Sequence, residues 1–177
     1  MENGEGDEPS IFKDSTVILL RHARSEANEA NLKVFNRNGP QKDYTKNAVD
    51  DDLRDCGIHS SGVEECLKAQ KVADCLDIHT VFVSPLKRTM ETAYQVFKNH
   101  PNFEKIRFIV APKAKEGLKA CSDIVGDIEQ TMQHFGSLFP NLSGELLKEY
   151  EKSMLFFEDL QPDLIAELKD KIKTDEL

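Results

Sequence analysis

Four residues of types suited to phosphate chemistry each stand shortly after a predicted strand: Arg21, His22, Arg88 and Glu116. Arg88 falls in the first turn of a predicted helix, where backbone N–H groups favour anions. Two guanidinium groups can hold phosphoryl oxygens in bidentate fashion, an imidazole can attack phosphorus, and a carboxyl group can protonate the leaving oxygen. The set predicts chemistry on a small phosphorylated substrate, with no metal and no cofactor because the arginines supply the positive charge.

The strands that must position these residues are short apolar runs rich in β-branched side chains. They are predicted as buried strands at 16–20, 80–83 and 106–110. In an open sheet of parallel strands, ligands bind beyond the carboxyl ends. We therefore expect the residues that follow these strands to converge at one edge of the sheet.

Helical patterns alternate with the strands. They cover 25–35, then 60–76 with a serine as the N-cap, and the residues after Ser84, which is predicted as an N-cap with Pro85 at the first helical position. This alternation is typical of a parallel sheet covered by helices.

The segment 36–57 does not fit the alternation. It carries a Gly-Pro pair, scattered asparagines and three consecutive aspartates. These residues predict a long loop rather than a packed element, and loops of that length in compact domains are often lids or substrate-contacting segments.

The predicted fold class is α/β, a layered domain with a mainly parallel central sheet flanked by helices. Residues 1–14 form an acidic leader, and 15–177 form a single domain. Its C-terminal part, 124–177, is helical in pattern with interruptions near 139–141 and at Pro162, and no further strand is predicted there.

Composition narrows the partners and the location. The formal net charge of -9 argues against nucleic acid, because a phosphate backbone selects clustered Lys and Arg. No apolar run approaches the roughly 20 residues that span a bilayer, and the N-terminus is acidic, unlike a signal peptide. These features predict a cytoplasmic protein with no membrane insertion.

Three segments resemble signatures of the histidine-phosphatase superfamily, which includes the phosphoglycerate-mutase-like enzymes. Residues 17–28, VILLRHARSEAN, are similar to its strand-plus-Arg-His-Gly signature, with Ala23 in the Gly place. Residues 56–66, CGIHSSGVEEC, are similar to its Leu-Thr-x-x-Gly-x-x-Gln segment, and 83–93, VSPLKRTMETA, closely resemble Ser-Pro-Leu-x-Arg-Thr-x-x-Thr-Ala. The match covers about 17–123, the N-terminal part of such a domain, so the resemblance implies a phosphoglycerate-mutase-like fold, whole or truncated.

The resemblance also implies roles for individual residues. His22 would be the phosphorylated nucleophile, and Glu116 the proton donor. The implied phosphate-binding residues are Arg21, Arg88, Ser25 and Asn28. The segment 121–123, Cys-Ser-Asp, resembles a Cys-Asp segment of eukaryotic members.

One element of the superfamily's pattern is not found. Its members carry a second essential histidine after a later strand, in a Val-x-x-His-Gly or Val-x-x-His-Ser pattern. The remaining histidines, none of which follows a predicted strand in this way, are His59, His79, His100 and His134.

Three interpretations remain open. The first is a cofactor-independent phosphatase, favoured over a mutase, that works through phospho-His22. The second is a catalytically impaired pseudoenzyme that serves as a structural or interaction subunit of a protein assembly or homo-oligomer. The third is that this chain is part of a longer polypeptide whose remainder supplies the missing strand and histidine.

Overall fold

A computed structural model describes residues 17–117 and 119–148, together with Ala166 and Asp170. The helices in this part of the chain are α1 (Glu26–Asn36), α2 (Gln41–Ala48), α3 (Ser60–Ala73), α4 (Lys87–Phe97) and α5 (Ile128–Gly136). The strands are β1 (Thr80–Val83), β2 (Arg107–Val110) and β3 (Leu142–Ser143).

The three strands form one parallel sheet in the order β1-β2-β3. Val83 pairs with Val110, and Phe108 pairs with Leu142. The middle strand is the most buried, and Phe108 and Val110 are both 0% exposed. The expectation of a mixed α/β fold with a parallel sheet flanked by helices is confirmed at this level.

The hydrophobic core joins α4 to the sheet. The apolar side chains of α4 recur every three or four residues and are buried, as in an amphipathic helix that covers a sheet. The rings of Phe108 and Phe139 pack against each other in the same core, with their centroids 4.5 Å apart. The core therefore fixes α4 on the sheet, and with it the Arg88 side chain in the first turn of α4.

The predicted buried strand at 16–20 is wrong over the residues described. Val17–Leu20 lie outside the sheet, with Val17 76% and Leu19 93% exposed. A strand is stabilised by side-chain packing against neighbouring strands rather than by its own composition, and no described strand pairs with this run. The strand 80–83 is confirmed but is not fully buried, because β1 is an edge strand in which Phe82 is 63% exposed.

The prediction of a long loop over 36–57 is wrong for the middle of that segment. Residues Gln41–Ala48 form α2, and Asp51–Leu53 form one turn of 3-10 helix. No residue of α2 is buried. The helix therefore has no apolar stripe through which its period could be recognised in the sequence.

Two helix starts differ from the prediction. Helix α4 begins at Lys87, two residues later than expected, because Ser84 Oγ accepts the backbone N–H of Leu86 and closes a turn before the helix. Helix α3 begins at Ser60, but its N-cap is His59, whose ring accepts the N–H of Ser61.

The region after 124 is helical only in part. Helix α5 agrees with the prediction, whereas β3 was not expected in this region. Two residues are too few to show a strand period, and β3 exists through its pairing with β2. Beyond 148 only Ala166 and Asp170 are described, both helical, so the remaining predictions there and the acidic leader lie outside the described residues.

None of the helices in the described part of the chain combines the length and the apolar character that crossing a bilayer requires.

Candidate active site

Helix α4 holds the backbone around His22 through one hydroxyl group. Thr92 Oγ1 accepts the backbone N–H of Ala23 at 3.0 Å and donates to the carbonyl oxygen of Arg88 at 2.6 Å. Thr92 and Ala23 are both buried, so water does not compete for these bonds. The segment that carries His22 is thus anchored one helical turn from Arg88.

Helix α3 supports the same segment from its other side. His59 donates its backbone N–H to the carbonyl oxygen of Arg24 at 2.8 Å. A Cβ atom on Gly62 would come within 3.2 Å of the Arg24 backbone nitrogen and closer still to its carbonyl oxygen. Only glycine lets α3 approach the main chain this closely.

Ser25 and Asn28 form a reciprocal cap at the start of α1. Ser25 Oγ accepts the N–H of Asn28, and Asn28 Oδ1 accepts the N–H of Ser25, each at 3.2 Å. The contacts found for these side chains do not include His22 or Arg88. Their capping role is plain from the geometry, and their predicted contact with phosphate remains a prediction.

The His22 ring is held as one neutral tautomer. Nδ1 lies 2.8 Å from the carbonyl oxygen of Ala23, which can only accept, so Nδ1 carries the proton. Arg88 donates its Nε–H to His22 Nε2 at 3.2 Å, so Nε2 presents its lone pair. Nε2 is therefore the ring nitrogen without a proton.

The electrostatics agree with a neutral ring. Burial lowers the pKa of His22 below its ordinary value, and the positive charges of Arg88 and Arg21 lower it further. The hydrogen bond to Ala23 and the charge of Glu116 act in the opposite direction without cancelling the shift. A histidine in this state keeps its lone pair at neutral pH, as a nucleophile must.

Arg88 is the centre of the site. It is 3% exposed, and its guanidinium NH2 donates to Asp123 Oδ1 at 2.8 Å and to Glu116 Oε2 at 3.4 Å. Its NH1 donates to the carbonyl oxygen of Ser122. A buried guanidinium with an acceptor on each nitrogen is fixed in direction as well as in place.

Three of the four residues predicted for phosphate chemistry therefore meet: His22, Arg88 and Glu116. The Glu116 side chain is 53% exposed, so it can exchange protons with solvent. Arg21 is exposed, and it reaches His22 through its charge rather than through a hydrogen bond.

The other histidines are engaged elsewhere in the described part of the chain. His59 caps α3, and both ring nitrogens of His100, which is 4% exposed, contact main-chain groups. His79 and His134 are exposed. None of the hydrogen bonds and ion pairs found for these four rings reaches His22.

Sequence reasoning missed two buried carboxylates near α4. Asp123 pairs with Arg88, as described above. Asp55 is 8% exposed, and its two oxygens accept the backbone N–H groups of Lys87 at 2.8 Å and of Gly126 at 2.7 Å. Burial raises the pKa of Asp55 even though both amides and the charges of Arg88 and Lys87 act against the shift. Aspartates in loops usually indicate solvated surface, and the resemblance noted for the segment 121–123 gave Asp123 no role, so the sequence placed neither aspartate in the site.

Among the described residues, no group of three or more His, Cys, Asp or Glu side chains is arranged to hold a metal ion.

Comparison of the chain with protein-family models, with curated proteins and with solved structures finds no match. The class of the fold is therefore defined by the architecture itself, as a mixed α/β domain with a parallel sheet. The resemblance to histidine phosphatases rests on the residues quoted above and on nothing further.

Proposed function

We propose that this protein is a phosphoglycerate-mutase-like histidine phosphatase, which hydrolyses small phosphomonoesters through a phosphohistidine at His22. The observation that supports the proposal is the meeting of a neutral His22, whose Nε2 lone pair accepts the Arg88 Nε–H, with a buried Arg88 that also contacts Glu116. These are the three functions that phosphoryl transfer to a histidine needs: nucleophile, phosphoryl-holding cation and proton donor.

In the first step of the proposed reaction, His22 Nε2 attacks phosphorus and the bond from phosphorus to the leaving oxygen breaks. Glu116 in its acid form gives its proton to that oxygen, so the alcohol leaves neutral. The ring becomes a phosphorylated imidazolium, whose Nδ1–H remains on the carbonyl oxygen of Ala23. Arg88 offsets the charge on the phosphoryl oxygens. For this, the Nε–H of Arg88 must exchange its acceptor, from His22 Nε2 to a phosphoryl oxygen.

In the second step, water attacks phosphorus and gives a proton to the Glu116 carboxylate. The bond from phosphorus to Nε2 breaks, inorganic phosphate leaves, and His22 returns to its neutral form. A mutase would differ only in the acceptor, with a second hydroxyl group in place of water, and we favour water.

The test is to incubate the protein with p-nitrophenyl phosphate, follow nitrophenolate release, and look for an added phosphoryl group by intact mass. We expect a phosphoenzyme that survives neutral pH and is lost in acid. His22→Ala should abolish it, whereas His79→Ala, a matched change at an exposed histidine, should not. The proposal would be ruled out if the unaltered protein formed no phosphoenzyme and showed no turnover.

A second candidate function is a pseudoenzyme that serves in a protein assembly. It is favoured by the exposed apolar side chains that precede the site and lie on the edge strand: Val17, Leu19, Leu20 and Phe82. Exposed large apolar side chains are the kind of group that a partner surface can cover. A stable complex recovered on purification without turnover would support this function, and a monomer with normal hydrolysis would contradict it.

A further inference from the structure

We propose that Asp123 is a positioning residue of this site, which aims Arg88 at His22. The inference rests on the proposed function for its kinetic consequences, but its geometric content is independent of turnover. Asp123 is 6% exposed, and its Oδ1 accepts from Arg88 NH2 at 2.8 Å. It makes no hydrogen bond to His22 and would touch neither the phosphoryl group nor the leaving group in the proposed reaction.

The carboxylate of Asp123 is itself held rigidly. Its second oxygen, Oδ2, accepts the backbone N–H groups of Lys119 at 3.0 Å and of Ala120 at 3.2 Å. Lys115 Nζ donates to the carbonyl oxygen of Asp123 at 3.2 Å. The two carboxylate oxygens therefore differ in role, because Oδ2 closes the turn that contains Asp123 and Oδ1 faces Arg88.

The direction of the Arg88 fork follows from this arrangement. The guanidinium is planar, so fixing two of its nitrogens fixes the third. Asp123 holds NH2 and the carbonyl oxygen of Ser122 holds NH1, which leaves Nε–H pointing at His22 Nε2. The position of the cation relative to the nucleophile is thus set by the turn Cys121–Asp123.

A positioning role and a purely electrostatic role differ in what they predict for the transfer step. Asp123→Asn removes a negative charge beside Arg88, so electrostatics alone would strengthen the binding of a phosphate anion. An amide at this place can accept through only one atom, so it fails either Arg88 or the two backbone N–H groups. If Asp123 positions Arg88, phosphate still binds but the transfer step slows.

The experiment compares Asp123→Asn with Asp55→Asn, a matched loss of one buried acceptor in a carboxylate whose hydrogen bonds run to main-chain N–H groups. We expect kcat to fall about 100-fold in Asp123→Asn with KM unchanged or lowered, since misplacement by about 1 Å costs this much. In Asp55→Asn, kcat per folded molecule should stay within about threefold of the unaltered protein, because Arg88 keeps its acceptors.

A second readout uses the ring nitrogens of His22, recorded by NMR with and without inorganic phosphate. Asp123→Asn should shift the Nε2 signal of the free protein, whereas Asp55→Asn should leave it in place. Unchanged kcat together with an unchanged Nε2 signal in Asp123→Asn would overturn the inference. If the unaltered protein proves inactive, the proposed function fails and the Nε2 signal alone decides whether Asp123 positions Arg88.

Asp123→Glu provides a second test in case Asp123→Asn does not fold. It keeps the charge and can still reach Arg88, but it displaces the carboxylate from the turn by one methylene group. We expect a smaller loss of kcat than in Asp123→Asn and a displaced Nε2 signal. A signal and a kcat identical to those of the unaltered protein would count against the inference.

Discussion

Asp55 and Asp123 are buried to almost the same degree, at 8% and 6% exposed, yet they serve different parts of the molecule. Asp55 uses both oxygens on backbone N–H groups, at Lys87 and at Gly126. Asp123 uses one oxygen on the backbone of its own turn and the other on the Arg88 side chain. Burial alone therefore does not distinguish the two carboxylates, and they differ in whether a hydrogen bond reaches the Arg88 side chain or only the main chain.

The largest expected effect comes from Arg88→Met, which removes the partner of Asp123 and leaves the contacts of Asp55 intact. The variant leaves a carboxylate buried without its cation, so the free energy of unfolding should fall by about 3–5 kcal/mol. Phosphoenzyme formation should be lost as well. Urea denaturation measures the first effect, and intact mass measures the second.

A double-variant cycle sharpens this prediction. Adding Asp123→Asn to Arg88→Met should recover part of the lost stability, because the uncompensated charge is gone. Adding Asp55→Asn should show a smaller coupling than Asp123→Asn, because the charge of Arg88 acts on Asp55 while the hydrogen bonds of Asp55 run to the main chain at Lys87 and Gly126. Equal coupling of Arg88 to both aspartates would show that the contrast between them is not real.

Asp55→Asn should have an intermediate effect that is confined to stability. One backbone N–H loses its acceptor, which costs on the order of 1–3 kcal/mol for a buried group. The loss should lie near the lower end, because the neutral amide also escapes the desolvation that raises the pKa of Asp55. Denaturation monitored by circular dichroism gives the value, and a decrease in kcat per folded molecule larger than about threefold would place Asp55 in the site after all.

The smallest effects are on the pH dependence of stability, where Asp55 and His22 act in opposite directions. The pKa of Asp55 is raised in the folded protein, so between its ordinary and raised values the folded state binds more protons, and stability falls as the pH rises. The pKa of His22 is lowered, so between its lowered and ordinary values the unfolded state binds more protons, and stability rises with pH.

Each slope is bounded by about 1.4 kcal/mol per pH unit for one proton. Denaturation curves over the acidic and near-neutral ranges should show Asp55→Asn lacking the falling part and His22→Ala lacking the rising part. If stability still rose with pH in His22→Ala, the rise would belong to another titrating group. The same lowered pKa predicts that phosphoenzyme formation persists into mildly acidic buffer.

The sequence predicted an element correctly where the pattern of its residues agrees with the way that element packs in the fold. Helix α1 is predicted from the helical pattern over 25–35, and it forms over Glu26–Asn36. Helix α4 shows its apolar face because it covers the sheet, and β1 and β2 are apolar runs that do pair with each other. Arg88 and Glu116 were placed at the site from the strands that precede them, whereas His22 reaches it although the described run before it, 17–20, is not a strand.

The failures share one physical cause, which is that the deciding partner is distant in the sequence. The run at 17–20 has strand composition without a described neighbour to pair with, whereas β3 has a neighbour but only two residues. Helix α2 buries nothing and so shows no period. Asp55 and Asp123 acquire their roles from partners 32 and 35 residues away, which no local pattern could reveal.

The hydroxyl of Thr92 has a consequence for motion. It joins the main chain at Ala23 to the main chain at Arg88, so the backbone segments that carry His22 and Arg88 are linked through α4. We expect a displacement of α4 to carry both segments with it. Glu116 and Asp123 reach Arg88 from a part of the chain that this hydroxyl does not join.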